Sequence, residues 1–277
     1  MIENILFPVD FSPSCVAIAP YVSRAAAMFG SRITLLHVCD LESHDGFELY
    51  VRAPQEIAED HWTIACRKIE SFLSPEFPAS TCARIVRCGD AAEQIVDAAV
   101  SGRFDLIVMP THAGRFRRML LGSTTAKVLD QASCPVLTTE HAENMAPKLA
   151  EHPKWLCAID LDDDAVRVLE VAGRAAATAG ARLSLLHVMP GSGDDGRDGH
   201  ADEADVLRSV QELKRRTGCE GFAQVTRGHV KDAVLQAAEM FNADALILGR
   251  RPSEPHGRMR DLTYSLVRDA PCPVLSV

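Results

Sequence analysis

Residues 109–130 read MPTHAGRFRRMLLGSTTAKVLD. The run passes from an apolar strand end, through a loop with glycines, into a helix opening at Gly122-Ser123-Thr124. Backbone N–H groups of Ser123 and Thr124 at a helix N-terminus, with two hydroxyls beside them, make an anion site: first-turn amides lack helical acceptors and the helix dipole favours negative charge. A serine or threonine here is equally an ordinary N-cap. Both readings stay open on the residues alone.

Arg115, Arg117 and Arg118 follow in the same loop, and Arg250, Arg251, Arg258 and Arg260 crowd a second region near the C-terminus. Guanidinium groups bind phosphate bidentately, although such runs are also common on solvated faces. No Ser-His-Asp spacing, paired catalytic carboxylates or nucleophile elbow is recognisable, which argues against an enzyme. The ten histidines show neither HExxH nor HxxxH spacing, and the nine cysteines contain no CxxC pair, so no metal site is expected. Scattered and odd in number, the cysteines fit reduced thiols, most of them small core residues.

The elements that must position these groups occur twice. ILFPVDFSPS…AAAMFGSRITLLHV is answered by LCAIDLDDDA…AAATAGARLSLLHV, so that Asp10 matches Asp160 and His37-Val38 matches His187-Val188 at one constant offset. VRCGDAAEQIVDAAV matches VTRGHVKDAVLQAAE, FDLIVMP matches ADALILG, and SCPVLTT matches PCPVLSV. A duplication of this extent outranks every other signal. In the first copy strands are expected at Asn4–Val9, Arg32–Val38, Thr81–Arg87, Asp105–Met109 and Pro135–Thr138, with helices between them. Ser12 is the expected N-cap of the first helix, Pro13 its first residue and Gly30 its stop, while Pro20 should bend the helix or shift its start. In the second copy the run Asp162-Asp163-Asp164 and Gly180 give the corresponding signals. His37 and His187 read as hydrogen-bonded strand-end residues.

Continuously apolar strands alternating with helices are buried on both faces, which predicts an α/β fold with parallel sheets. The expected division is a first domain at 1–140, a linker at 141–154 that is polar with two prolines, and a second domain at 155–277. The glycine-rich acidic stretch 190–203 is expected to be a loop. A chain of 277 residues with 47% apolar content builds substantial cores, and a net charge of −9 disfavours nucleic acid and anionic lipid as partners. No run approaches the roughly 18 apolar residues of a membrane span, and the N-terminus has no signal-peptide pattern, so the expected compartment is the cytoplasm.

A strand ending PVD, an Ala-rich helix, a strand ending LLHV, a strand ending GD, a strand LIVM followed by TH, then LLGS and CPVL: this order resembles the universal stress protein family in its tandem two-domain form. The resemblance covers nearly the whole chain. It implies Rossmann-like domains, each a five-stranded parallel sheet of order 3-2-1-4-5 flanked by helices. ATP-binding members carry G-x-x-G, nine residues and G-S/T after the fourth strand. Here Pro110 and Ala113 replace the first two glycines, eight residues follow, and Gly122-Ser123 survives. In the second copy Gly249 stands at the first glycine, Pro252 at the second, and Arg260-Asp261 in place of Gly-Ser.

The resemblance therefore implies an adenine-nucleotide site, with magnesium, that is weakened in the first domain and lost in the second. Its residues would be Asp10 and Val38 at the base, Met109 at the fourth strand's end, Gly114 in the loop, and Gly122, Ser123 and Thr124 at the phosphates. Asp10 is alternatively a cap of the following turn. Asp160 and Val188 would outline a second crevice without a phosphate end. Family domains pair through their last strands, so Pro135–Thr138 and Pro273–Val277 should meet within one chain; a homodimer of whole chains and an unknown protein partner are further expectations. The competing reading is an interaction scaffold that binds no nucleotide and uses its arginine-rich loops or apolar crevice for a protein or another small anionic ligand. Slow ATP hydrolysis ranks behind both.

Overall fold

The apolar run Ile5-Leu6-Phe7 has no solvent exposure at all, as a central parallel strand with both faces covered requires. In the computed structural model, which describes residues 2–39, 54–111, 121–139, 152–191, 202–250 and 258–277, this run is the core of β1 (Asn4–Pro8). The first copy continues with α1 (Pro13–Phe29), β2 (Arg32–Cys39), α2 (Pro54–Ser71), β3 (Cys82–Cys88), α3 (Ala91–Ser101), β4 (Leu106–Pro110), α4 (Ser123–Gln131) and β5 (Val136–Thr139). The second has β6 (Lys154–Ala158), α5 (Ala165–Ala179), β7 (Arg182–Met189), α6 (Glu203–Thr217), β8 (Phe222–Arg227), α7 (Val230–Phe241), β9 (Ala245–Leu248), α8 (Arg258–Asp269) and β10 (Val274–Ser276). Each of the five expected strands of the first copy is present, with ends shifted by about one residue.

The strand orders are β3-β2-β1-β4-β5 and β10-β9-β6-β7-β8. Pairings of β1 with β2 and β4, and of β6 with β7 and β9, are parallel. Each copy thus has the expected Rossmann-like order, with its first strand at the switch between the two winding directions.

Residues 2–136 form one compact unit, whereas residues 137–139, the body of β5, group with the second copy. Within that second unit the order is β5-β10-β9-β6-β7-β8, and the buried Thr138 hydroxyl donates to the Val274 carbonyl at 3.4 Å. The two last strands do meet inside one chain. An apolar edge on β10 is thereby covered. The expected linker 141–154 and the acidic loop 190–203 fall largely outside the described residues.

Ser12 caps α1, its side chain accepting from the Cys15 amide, and Gly30 ends the helix in the left-handed region. Pro20 does not shift the start: α1 begins at Pro13 and runs unbroken through it. The amide that proline lacks would have bonded the carbonyl of Val16, which lies on a turn half open to water. Asp162-Asp163-Asp164 does precede α5, with Asp162 Oδ1 accepting the Asp164 amide at 3.1 Å, and Gly180 closes it.

One tie was not anticipated. Arg84 on β3 donates to the carbonyls of Ile69 at 2.8 Å and Phe77 at 2.7 Å, and to Cys82 at 3.1 Å. Ile69 lies in the last turn of α2, so a guanidinium holds orphaned C-terminal carbonyls there.

Candidate functional site

At the carboxyl ends of β1, β2 and β4 a crevice of about 540 Å³, counted with its open mouth, is lined by Asp10, Val38, Ile95, Met109, Pro110 and Thr124, among others. Three of the expected residues line it with Thr124, namely Asp10, Val38 and Met109. Gly122 and Ser123 lie immediately before Thr124 at the start of α4. Gly114, with Arg115, Arg117 and Arg118, lies outside the described residues.

Asp10 Oδ1 accepts the Ser12 amide at 2.9 Å and the Cys15 thiol at 3.1 Å. The turn-capping role of Asp10 is therefore real and does not exclude its lining the crevice. Burial pushes its pKa up, but the bonds from Ser12 and Cys15 outweigh burial and hold the carboxyl below its ordinary value. Burial, with Asp10 beside it, pushes the Cys15 thiol up to about 12. Cys15 is a buried donor here and not a nucleophile.

Between them Phe11 has φ 62°, a left-handed conformation unusual for a bulky residue. Its ring stacks on His37 at 4.2 Å and meets Phe72 edge-on at 5.2 Å, contacts that hold the strained turn. His37 Nδ1 lies 2.8 Å from the Val9 carbonyl, and His187 Nδ1 repeats this with Ile159 at 2.9 Å. Both histidines are the hydrogen-bonded strand-end residues expected.

The phosphate end departs from expectation in two details. Gly122, not Ser123, is the N-cap of α4, and it makes no side-chain capping bond. Its φ of −59° is open to any residue, so this glycine is not required by backbone conformation. The Gly122 amide donates to the Thr111 carbonyl at 3.0 Å, which leaves the Ser123 and Thr124 amides as the first-turn donors nearest an anion. Pro110, although it lacks an N–H, uses its carbonyl: the buried Thr125 hydroxyl donates to it at 3.1 Å.

Ala91, Ile95, Cys15, Leu36 and Thr125 also line the crevice and were not anticipated. The signal for the first two was present in the GD turn. Gly89 at φ 128° makes a bend that side chains disfavour. Asp90 then caps α3 through the Ala92 and Glu93 amides, both at 3.0 Å, and its other oxygen takes Lys127 of α4 at 2.8 Å. This cap sets which face of α3 turns inward. Gly228, at φ 148°, repeats the bend in the second copy.

The second crevice, at the ends of β6, β7 and β9, is about 730 Å³ on the same measure. Asp160 and Val188 line it as expected, together with Asp162, Asp164, Gly249 and Leu262. Leu262 stands where the first copy has Thr124, and three carboxylates share the lining. That chemistry suits an apolar or cationic group better than a triphosphate. Arg250 donates its amide to the Val277 carbonyl at 2.7 Å; Arg251 and the side chains of Arg258 and Arg260 lie outside the described part.

Among the described residues no group of three or more His, Cys, Asp or Glu is placed to hold a metal ion, and no helix is long and apolar enough to cross a membrane. A nucleotide fits the first crevice in part: apolar walls for a base, a carboxylate at the strand end, and two helix amides for phosphate. Among the described lining residues, Asp10 is the carboxylate that could meet magnesium.

Fold and crevices together define a duplicated, doubly wound α/β protein with one crevice at the carboxyl edge of each copy's sheet. The family model described as the Universal stress protein family matches residues 1–139 and 153–277, and the chain belongs to that family, in tandem form. A universal stress protein of Thermus aquaticus is 31% identical over 142 residues, covering 50% of this chain and 98% of the relative. One from Methanocaldococcus jannaschii is 26% identical over 141 residues, covering 50% and 82%. The crystal structure of a universal stress protein from Archaeoglobus fulgidus superposes with a TM-score of 0.71 at 25% identity, covering 100% of this chain and 98% of that one.

Proposed function

We propose that this chain is a noncatalytic cytoplasmic stress-response protein whose first domain, residues 1–140, binds an adenine nucleotide with magnesium. Beyond the linker 141–154, the second domain, 155–277, has lost that capacity. Asp10, Val38 and Met109 would hold the base and ribose, and Gly114, Gly122, Ser123 and Thr124 the phosphate end. The observation that carries this reading is the crevice lined by Asp10, Val38, Met109 and Thr124 together. Affinity should be lower than in members with an intact signature, because Pro110 has no amide to offer and the Gly122 amide is already engaged. In the second domain, Leu262 and the three aspartates support loss of triphosphate binding.

Occupancy would act through shape, by altering the crevice rim and so the choice of protein partner or of a second copy of the chain. The net charge of −9 supports partners other than nucleic acid or membrane.

A second reading is favoured by one observation. The Gly122–Thr111 and Thr125–Pro110 bonds are made wholly within the chain and turn the Gly122 amide away from an anion, which suits a nucleotide-independent scaffold. Calorimetric titration of nucleotide-stripped protein with ATP and magnesium separates the two. Micromolar binding at one site per chain supports the first; no heat and no thermal shift up to millimolar ATP overturns it in favour of the scaffold.

A further inference from the structure

Cys39 is the last residue of β2 and Cys88 the last of β3, and the two are register partners on these parallel strands. Directly paired residues project from the same face of a sheet, on backbones roughly 4.7–4.9 Å apart. That separation falls inside the Cα spacing of about 4.4–6.8 Å that a disulfide spans. The two side chains are close enough for Cys88 to act on the Cys39 thiol. The Gly89 amide, donating to the Cys39 carbonyl at 3.1 Å, holds the strand ends together.

Accessibility divides the work between them. Cys39 is 6% exposed, whereas Cys88 is half-buried. Burial, and then Cys88 and Cys66 beside it, push the Cys39 thiol up to about 11, so Cys39 is the poorer initial nucleophile. Cys157 and Cys219 also interact, but both are buried, out of reach of an oxidant in solution.

We propose that Cys39 and Cys88 form a reversible dithiol–disulfide site that responds to a peroxide. The Cys88 thiolate attacks one peroxide oxygen: an S–O bond forms, the O–O bond breaks and hydroxide leaves, so the peroxide is reduced and the sulfur becomes a sulfenic acid. The Cys39 sulfur then attacks the Cys88 sulfur. The S–S bond forms, the S–O bond breaks, and the departing oxygen takes the Cys39 proton and leaves as water. An external dithiol returns two electrons and two protons and restores both thiols. The bond would tie β2 to β3 immediately beyond Val38 and two residues before the helix cap Asp90. The inference does not depend on whether the crevice binds a nucleotide.

The test exposes the reduced full-length protein to excess hydrogen peroxide under native conditions, blocks free thiols with iodoacetamide, and maps cross-linked peptides by mass spectrometry without reduction. The expected result is a Cys39–Cys88 link that dithiothreitol removes, that persists in Cys66→Ser, and that is replaced in Cys39→Ser by a dimedone adduct on Cys88. A link from Cys66 to either residue, a Cys39–Cys88 link that forms only in urea, or no link in folded wild type and Cys66→Ser would each overturn the proposal.

Discussion

The Nδ1 of His37 lies 2.8 Å from the carbonyl oxygen of Val9, the residue that follows β1. A carbonyl only accepts, so Nδ1 carries the proton and the ring spans the two central strand ends. Burial pushes the His37 pKa below its ordinary value of 6.5; the Val9 carbonyl and Asp10 pull against that, and Lys68 adds to it. With the folded pKa below the unfolded one, the unfolded state binds more protons in between. This contribution to stability is therefore intact above the unfolded pKa and lost as the pH falls from there toward the folded value. Urea denaturation should show a smaller loss between about pH 7.5 and 5.5 in His37→Gln than in wild type. Equal losses would remove His37 from the pH response.

For the phosphate end, Ser123→Ala should weaken ATP binding by about 1 kcal/mol, roughly fivefold, as one hydrogen bond is lost. Gly122→Val should nearly abolish it. Because Gly122 has an ordinary φ, the reason is the branched side chain crowding the first-turn amides, and the fold itself should lose only about 1 kcal/mol as a poorer N-cap. Calorimetry beside a thermal melt distinguishes the effects, and unchanged affinity in both variants would discard this loop as a nucleotide site.

Arg84→Met keeps the apolar stem of the side chain but strands the carbonyls of Ile69, Cys82 and Phe77. The expected cost is about 1.5–3 kcal/mol, the range for hydrogen bonds to a charged group. A lowered urea midpoint with an unchanged m-value is the signature. A midpoint equal to wild type would mean that water replaces the guanidinium without penalty.

In the second copy, Asp269 at the end of α8 is gripped by Arg268 and by Lys231 of α7. Arg268, ahead of a smaller opposing effect of burial, and Lys231 hold its carboxyl well below the ordinary carboxylate value. A depressed folded pKa contributes stability above the unfolded value that is lost as the pH falls through the folded one. Asp269→Asn should thus melt below wild type at neutral pH, with the gap narrowing in acid below about pH 4. A gap that stayed constant into acid would assign the effect to packing instead of charge.

The duplication, the alternation of apolar runs with helices, and the punctuation of Ser12, Gly30 and Gly180 were all legible in the sequence, because they rest on local chemistry: periodicity, capping and turn conformation. The same local logic placed both histidines at strand ends, whereas Asp10, Val38 and Met109 were singled out by the family resemblance and not by local chemistry. Local logic placed the start of α4 but left open whether Ser123 caps it. Ser123 carries the residue type of a cap, yet the chain turns at Gly122, whose amide is drawn to Thr111 across the loop.

What only the tertiary structure decided was which distant groups share a space. Cys39 and Cys88 become partners through the register of β2 with β3. Arg84 finds the end of α2 because β3 passes beneath it, and Phe11 accepts a left-handed backbone because His37 and Phe72 receive its ring. The grouping of β5 with β10 in the second unit is likewise a matter of edges finding edges. Strand propensity and apolar periodicity make an edge strand; its unsatisfied N–H and C=O groups then require a neighbour, and the three-dimensional fold supplies one.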